Sequence, residues 1–248
     1  MMNFLTAATS RAFGRPTNQD AFSYLYLNHC GCWVVADGLG GHWGGEVASK
    51  LAVDVIMNSF QKVPIASQKN ILDFLQGAQS ALLNYQKEDP RFSEMRTTIL
   101  ILLADQSLAW WGHLGDTRLY HFRQERIIFQ TKDHSVSQAL VNAGEIRPEA
   151  LRHHEDRHRL IRVLGQEEAF RPSIIQKAQA LSHGDAFLLC SDGLWGLVLE
   201  AEMVTALKES DSPEEWVSKL EDRLVERRSE NRDIEYDNYT AIAIFVRK

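Results

Sequence analysis

The sequence contains few cysteines and no excess of basic residues, and both shortages exclude classes of protein. Only Cys30, Cys32 and Cys190 occur among 248 residues. An odd and sparse set of cysteines does not build a disulfide framework, and it favours a reducing compartment. The formal net charge is −6, whereas a domain that binds nucleic acid normally carries a basic excess. A nucleic-acid partner is therefore not expected.

Long apolar segments are also missing. The longest apolar run covers residues 99–104, well below the ~18 residues that a helix needs to span a bilayer. Residues 1–13 have neither the basic start nor the apolar length of a signal peptide. We therefore expect a cytoplasmic protein that has no membrane partner.

No linker, repeat or low-complexity tract divides the chain, and hydrophobic residues make up 44% of it, which is enough for a sizeable core. A single domain over residues 1–248 is predicted. Residues 144–184 differ from the rest, because 147–162 are dense in Arg, His and Glu and show little apolar periodicity before Leu160. We interpret a segment within 144–184 as a surface flap.

Short apolar runs predict strands, and the few turn residues between several of them favour antiparallel pairing, because parallel strands need a long crossover. The predicted strands cover residues 22–27, 32–36, 97–104, 108–113, 118–122, 126–130, 186–190 and 239–246. Helical apolar spacing marks residues 45–62 and 67–86, and Ser212 with Glu215 forms a capping box for a further helix. Strands that do not alternate regularly with helices disfavour a doubly wound parallel sheet. The predicted fold class is α+β, with antiparallel sheets covered by long helices.

Aspartates recur at the ends of the predicted strands. Asp37 and Asp192 each follow a strand and precede a glycine, and Asp237 lies just before the last strand. Since the exits and entries of neighbouring antiparallel strands lie at the same edge of a sheet, we expect these side chains to converge. Asp20 and Asp116 are candidates for the same edge. A single Asp-Gly pair is typical of a turn, but a turn does not explain the whole set.

A convergence of carboxylates predicts a metal site. Close carboxylates repel one another unless cations neutralise them, and clusters of oxygen ligands suit Mg²⁺ or Mn²⁺. Two such ions about 3.5–4 Å apart can activate a water and hold a phosphoryl group. The slow uncatalysed reaction supports the metal interpretation. Phosphate monoester hydrolysis needs rate enhancements of up to ~10²¹, whereas a lone general base supplies about 10²–10⁴.

Six motifs occur in the order found in one enzyme family. They are RPTNQD (15–20), VADGLGGH (35–42), GHLGDTR (112–118), KDHS (132–135), LLCSDGLW (188–195) and DNYT (237–240). With these motifs, which extend over nearly the whole chain, the sequence resembles the metal-dependent protein phosphatases, the type 2C serine/threonine phosphatases, in their short bacterial form. Each motif is weak alone, but six in order are not expected by chance.

The resemblance implies an α-β-β-α sandwich, a four-layer arrangement of two antiparallel sheets flanked by helices, with a binuclear metal site at one edge. By motif position, Asp37 would bridge both ions and the carbonyl of Gly38 would bind one of them. Asp192 and Asp237 would hold the other ion. Bacterial members often carry a third metal, and Asp116 together with Asp192 matches that site.

The resemblance also implies how the reaction proceeds. Asp20 would orient a metal-bound water, and Arg15 would hold the substrate phosphate with its forked donors. A metal-bridging hydroxide would attack phosphorus in line, with no phosphoenzyme intermediate. The implied substrates are phosphoserine and phosphothreonine in proteins. The implied partners are a cytoplasmic serine/threonine kinase and its substrates in a signalling system, and a monomer is expected.

Three positions depart from the family pattern. Gln19 stands where many members have Glu, and Ala12 replaces a glycine that usually precedes the arginine. Eukaryotic members place a histidine acid directly after Asp-Gly, but Leu39 fills that position. His42 lies three residues later and is a candidate for the general acid.

Two alternatives stay open at this point. The run HEDRH at 154–158 matches the zinc-protease signature, in which His154 and His158 would bind zinc from one face of a helix and Glu155 would act as the base. Its basic surroundings favour a solvated flap instead. A pseudophosphatase that only binds phosphoproteins is the second alternative. Because Asp37 and the other predicted metal ligands are intact, catalysis is favoured over it.

Overall fold

The computed structural model describes residues 2–39, 44–230 and 237–248, and within those ranges the chain forms twelve strands and six α-helices. The strands are β1 (Asn3–Arg11), β2 (Asp20–Leu27), β3 (Cys30–Leu39), β4 (Arg96–Thr97), β5 (Ile99–Ala104), β6 (Leu108–Leu114), β7 (Arg118–Arg123), β8 (Arg126–Gln130), β9 (Ser173–Ile174), β10 (Gln179–Ala180), β11 (Ala186–Cys190) and β12 (Tyr239–Arg247). The helices are α1 (Gly44–Lys62), α2 (Gln68–Glu88), α3 (Val136–Ala143), α4 (Asp192–Trp195), α5 (Glu200–Lys208) and α6 (Pro213–Glu230).

The strands form two antiparallel sheets. In the part of the chain that the structure describes, one sheet has the order β1-β12-β11-β7-β8. The other has the order β10-β6-β5-β3-β2, with β4 beside β3 and β9 beside β6. The first strand pairs with the last along its whole length, from Asn3 opposite Arg247 to Arg11 opposite Tyr239. The two ends of the described chain therefore meet in one sheet.

Alternation of side chains along the strands divides the apolar residues among three core layers. Val34 packs in a cluster with α1 and α2, whereas its neighbour Val35 packs between the two sheets. In the other sheet Leu188 packs against α5 and α6, whereas Leu189 lies in the layer between the sheets. The layers therefore run helices, sheet, sheet, helices, and the predicted α+β sandwich is confirmed.

Local sequence explains where the covering helices begin. At the start of α2 the Ser67 hydroxyl accepts a hydrogen bond from the amide of Asn70 (3.1 Å). At the start of α6 the Ser212 hydroxyl accepts one from the amide of Glu215 (3.2 Å), and proline occupies the first turn. Across the described ranges, no helix combines the length and the apolar character that crossing a bilayer requires.

Most predicted elements are present, and the strands at 126–130 and 186–190 have the predicted bounds. The strand β1 was not predicted, because its Thr, Ala and Ser residues give little apolar alternation. It forms because β12, a buried strand, supplies a complete ladder of hydrogen bonds for it. Tertiary pairing therefore decides the conformation of this segment.

Residues 144–184 contain a 3₁₀ turn at Pro148–His153 and the short strands β9 and β10. The segment is tied to the body of the protein by two isolated bridges, Leu160 with Ser135 and Leu164 with Thr97. Leu164 is fully buried in the core beside α1 and α2, so the expectation of a purely surface segment is wrong there. The presence of a flap within this segment stays a prediction.

Candidate metal centre

Two aspartates face each other at the end of the β2–β3 pair. Asp20 is the first residue of β2, and the antiparallel register places it directly opposite Asp37 of β3. Directly opposed residues point to the same face of a sheet, with Cβ atoms about 4.5–5.5 Å apart. Like charges in such a position repel each other, so this pair needs a proton or a cation to relieve the repulsion.

Neighbouring threonines fix the backbone of Asp37. Its N–H donates to Oγ1 of Thr98 (2.9 Å), and its carbonyl accepts from the N–H of Thr98 and from Oγ1 of Thr97 (both 2.8 Å). Oγ1 of Thr98 also shares a hydrogen bond with Oγ1 of Thr117 (2.6 Å), the residue after Asp116. Buried threonines thus join the segments that carry two of the predicted ligands.

Gly38 lies where two backbones come too close for a side chain. A Cβ at this position would be 2.0 Å from the carbonyl oxygen of Gly45, at the start of α1, and 2.7 Å from that of Gln19. The N–H of Gly38 donates to the same Gln19 carbonyl (3.1 Å). Glycine is therefore required for α1 to begin against this end of β3.

The second sheet supplies Asp192, which follows β11 through a buried serine. The hydroxyl of Ser191 donates to Oδ2 of Asp20 (2.7 Å), and its oxygen accepts from the N–H of Thr240 in β12 (2.9 Å). A residue of the β11 end therefore holds a carboxylate of the other sheet. This contact brings the predicted ligands of both sheets to a common edge.

Asn238, beside Asp237, ties the loop between β1 and β2 to the same edge. Its Oδ1 accepts from the N–H of Gln19 (2.8 Å), and its Nδ2 donates to the carbonyls of Ala12 (3.0 Å) and Thr17 (2.9 Å). Three backbone groups of one loop thus depend on a single amide side chain. The loop that carries Arg15 is held in place by this contact.

We call the side chains of Asp20, Asp37, Asp116, Asp192 and Asp237 the acidic edge. Burial raises the pKa of Asp37 well above its usual range, and repulsion from the other four carboxylates adds to that rise. Burial also raises the pKa of Asp20, to about 7. Burial followed by repulsion from Asp192 raises the pKa of Asp116 and of Asp237. Each of these carboxylates therefore lies close enough to at least one other for the two charges to repel.

Two oxygens of the acidic edge have no hydrogen-bond partner within the described residues. Among the residues that the structure describes, Oδ1 of Asp20 and Oδ1 of Asp192 are buried and take part in no hydrogen bond. An unsatisfied buried polar atom costs about 1–3 kcal/mol, and more when it belongs to a charged group. Carboxylate oxygens are the donors that Mg²⁺ and Mn²⁺ prefer. The donor set therefore fits divalent cations of this kind.

The described carboxylates do not surround a common point at which an ion could be coordinated. Within residues 2–39, 44–230 and 237–248, no three His, Cys, Asp or Glu side chains form a ready ligand cluster. Two of the carboxylates contact side-chain nitrogens. Oδ2 of Asp237 lies 3.2 Å from Nη2 of Arg15, and Oδ2 of Asp192 lies 3.3 Å from Nδ1 of His158.

The predicted metal ligands and Arg15 lie in described ranges, and Arg15 contacts Asp237 of the acidic edge. Sequence reasoning missed His158, which reaches Asp192 from the segment 144–184. No local pattern could have found this contact, because the chain folds back to make it. The zinc alternative needs a helix, but residues 155–158 form a turn, so its condition is not met. His42 lies outside the described residues.

The motifs and the fold match known proteins. A family model described as protein phosphatase 2C matches residues 11–235. The chain is 31% identical over 180 residues to the serine/threonine phosphatase stp of Listeria innocua, and the match covers 71% of each chain.

Solved structures agree over almost the whole length. The serine/threonine phosphatase Stp1 of Staphylococcus aureus superposes with a TM-score of 0.87 and 28% identity, and the match covers 98% of this chain and 95% of that one. The catalytic domain of the phosphatase PstP, solved with two manganese ions, gives a TM-score of 0.84 and 27% identity, with both chains fully covered. The predicted family, fold class and enzyme class are thereby confirmed, and the chain belongs to the protein phosphatase 2C family.

Proposed function

We propose that this chain hydrolyses phosphoserine and phosphothreonine in proteins, using Mn²⁺ or Mg²⁺ bound at the acidic edge. The observation that carries the proposal is the convergence of five carboxylates, two of which have unpartnered buried oxygens. The names of its relatives, serine/threonine phosphatases, and the two manganese ions of the PstP structure support it. Two ions are proposed, with a third at Asp116 and Asp192.

Each ligand has a proposed role. Asp37 and the carbonyl of Gly38 would hold one ion, and Asp192 and Asp237 would hold the other, with Asp37 close enough to serve both. When bound, the cations neutralise the acidic edge, polarise phosphoryl oxygens and lower the pKa of water so that it attacks at neutral pH. Asp20 offers its unpartnered Oδ1 to the attacking water.

Direct attack by water is supported by the state of the cysteines. Cys30, Cys32 and Cys190 are all buried, and burial raises the pKa of each thiol. A buried neutral thiol is a poor nucleophile. The cysteine-dependent route through a phosphoenzyme is therefore disfavoured, and in-line attack by water is proposed.

Arg15 is proposed to hold the substrate phosphate. Its side chain is 42% exposed and lies against Asp237, where a phosphate bound at the acidic edge would meet it. A guanidinium fork matches phosphate oxygens better than an ammonium does. Because Arg15 positions substrate but does not create the nucleophile, Arg15→Ala is expected to raise KM more than it lowers kcat. Unchanged KM in steady-state kinetics on a phosphothreonine peptide would remove Arg15 from this role.

The proposed partners are phosphorylated proteins, namely a serine/threonine kinase and its substrates in cytoplasmic signalling. We further propose that residues 1–248 act as one catalytic domain and as a monomer. A flap within residues 144–184 is supported by the reach of His158 to Asp192, which puts this segment beside the acidic edge. Substrate phosphate would therefore enter next to that segment.

The test is release of phosphate from a phosphothreonine peptide by metal-stripped protein, before and after adding Mn²⁺. Activity is expected only with the metal. Asp192→Asn is expected to abolish turnover without unfolding the protein. Asp222→Asn is the matched control, because it makes the same chemical change at an exposed position of α6.

Full activity of Asp192→Asn would contradict the proposed metal site. Binding of the phosphopeptide without hydrolysis, by folded protein with Mn²⁺ or Mg²⁺, would establish the pseudophosphatase alternative instead. Circular dichroism of each variant separates loss of turnover from loss of fold.

A further inference from the structure

A cavity lies apart from the acidic edge. It has a volume of about 560 Å³ and is bounded by β6, β8, β9 and the first turns of α3. Its lining contains none of the five acidic-edge residues. The volume is within the range of about 300–1,000 Å³ that is typical of small-molecule sites.

Aromatic and branched side chains form the apolar walls of this cavity. Trp111 is buried, whereas Phe129 and Ile161 are 38% and 49% exposed at its rim. The rings of Trp111 and Phe129 lie 4.8 Å apart, so they form one continuous aromatic wall. Such a wall favours a flat apolar body over an ion that is fully hydrated.

Two of the three Lys, Arg or Asp side chains that line the cavity are cationic. Arg162 and Lys132 both line it. Asp133 also lines it, but Arg118 holds its two oxygens at 2.8 and 2.7 Å, so this carboxylate is already neutralised. Among the described residues the polar contacts of Arg162 are long: 3.3 Å to the carbonyl of Arg171, 3.4 Å to Nε2 of His134 and 3.5 Å to the hydroxyl of Ser173. The cavity therefore has a guanidinium available for an anion.

Two stacked histidines add directional hydrogen bonding. The rings of His113 and His134 are 4.5 Å apart and nearly parallel. Nδ1 of His134 accepts from the N–H of Gly115 (3.2 Å). Since burial lowers the pKa of His134 to about 3, the ring is neutral and its Nε2–H donates to Ser173 (2.8 Å).

In His113 it is Nε2, and not Nδ1, that meets a backbone group. Its Nε2 contacts the carbonyl of Lys132 (3.0 Å), which can only accept, so Nε2 carries the hydrogen. Burial lowers the pKa of His113 as well, which leaves Nδ1 as an acceptor. That nitrogen is buried and has no hydrogen-bond partner among the described residues. The side chain of His113 lines the cavity but Nδ1 is covered, so a ligand with an N–H or O–H group would satisfy this nitrogen by opening that cover.

We propose that this cavity binds a small organic anion, an aromatic or branched body that carries a carboxylate and one hydrogen-bond donor. The carboxylate pairs with Arg162, the body packs on Trp111 and Phe129, and the donor faces Nδ1 of His113. This site is separate from phosphate hydrolysis, so it goes beyond the proposed function and does not depend on it. Its wall residue His134 contacts Gly115, the neighbour of Asp116, which links the site physically to the acidic edge.

The test is isothermal titration calorimetry of the Mn²⁺-loaded full chain with indole-3-acetate and 4-hydroxybenzoate, which carry all three features. Indole-3-ethanol is the matched probe without the carboxylate. We expect a Kd on the order of 1 mM or tighter for at least one acid. Indole-3-ethanol is expected to bind at least about tenfold more weakly than indole-3-acetate, because it cannot pair with Arg162.

Variants separate this cavity from other binding positions. Arg162→Gln is expected to weaken binding at least about tenfold and Arg162→Lys less, because lysine keeps the charge but not the fork. Ala139→Trp adds a ring to an exposed residue at the mouth of the cavity and is expected to block binding. Arg126→Gln removes an exposed arginine from β8 outside the cavity and is expected to change nothing.

Absence of binding by both acids up to about 10 mM would overturn the proposal. Equal binding by the wild type, Arg162→Gln and Ala139→Trp would also overturn it, because the anion would then occupy another place. Capture of an acidic peptide with no binding of either acid would replace the small anion with a protein ligand. None of these outcomes depends on phosphatase activity, so failure here is distinguishable from failure of the proposed function.

Discussion

Asp20 and Asp37 are directly opposed across the β2–β3 ladder. Two like charges in directly opposed positions destabilise a pair of strands. Burial and repulsion raise the pKa of both groups, which means that ionising them at neutral pH opposes folding. Residues arranged for function in this way commonly lower the stability of the protein.

We therefore predict that Asp37→Asn stabilises the metal-free protein while abolishing turnover. The gain in the free energy of unfolding is expected to be about 1–3 kcal/mol at neutral pH. The gain shrinks as the pH falls toward 3.8, the ordinary pKa of aspartate, because the unfolded chain then also holds the proton and the two states no longer differ in charge at this position. Urea denaturation in the presence of a chelator measures this, with Asp222→Asn as the control. A variant less stable than the wild type would contradict the prediction.

Gly38→Ala is predicted to destabilise the protein, because its Cβ would lie 2.0 Å from the backbone oxygen of Gly45. Backbone cannot move aside as a flexible side chain can, so a loss of about 1–3 kcal/mol is expected together with reduced activity. Gly77→Ala in α2 is the matched control. Its Cβ would meet only Val55, at an ordinary 3.7 Å, so it should stabilise the protein by about 0.5–1 kcal/mol. Equal thermal stability of the two variants would disprove the close-approach argument.

The Arg118–Asp133 pair is predicted to be sensitive to loss of one partner. Its side chains are 5% and 2% exposed, and the guanidinium lies 3.5 Å from the centre of the Trp195 ring. Asp133→Ala leaves a buried cation without its main partner, and about 3–5 kcal/mol of stability should be lost. Glu226→Gln, which breaks an exposed pair on α6, should have no measurable effect. Chemical denaturation of both variants compares the two losses.

The neutral state of His134 predicts a pH dependence of stability. Burial, followed by repulsion from His113 and Arg162, lowers the pKa of His134 from 6.5 to about 3. The unfolded chain therefore binds a proton below pH 6.5 that the folded protein does not, and stability falls as the pH drops through this range.

The measurement is the free energy of unfolding at several pH values for the wild type and His134→Gln. The difference between them should change in favour of the variant on acidification from pH 7 to 5, by at most about 1.4 kcal/mol per pH unit. The variant has no group to titrate at this position. A difference that stays constant over this range would show that His134 does not bind its proton as inferred.

How much the sequence could predict depends on whether a contact is local. Asp37 and Asp192 follow recognisable strands and precede glycines, so their position at a sheet edge could be inferred without coordinates. The hydrogen bonds that Thr97 and Thr98 make with the backbone of Asp37 could not be inferred, because they depend on how β4 pairs with β3. The reach of His158 to Asp192 depends on a segment with almost no regular structure. Long-range pairing of this kind leaves no periodic signal in the chain.

The pairing of β1 with β12 has a consequence for synthesis on the ribosome. Within the described residues β1 pairs with β12 alone, and Asn238 holds the Thr17 carbonyl across a separation of 221 residues. Contacts this distant in sequence form late in folding. The loop that carries Arg15 is therefore positioned only after β12 has left the ribosome exit tunnel. A nascent chain that lacks β12 would have neither Asp237 nor a positioned Arg15, so it is expected to stay inactive until β12 has been synthesised.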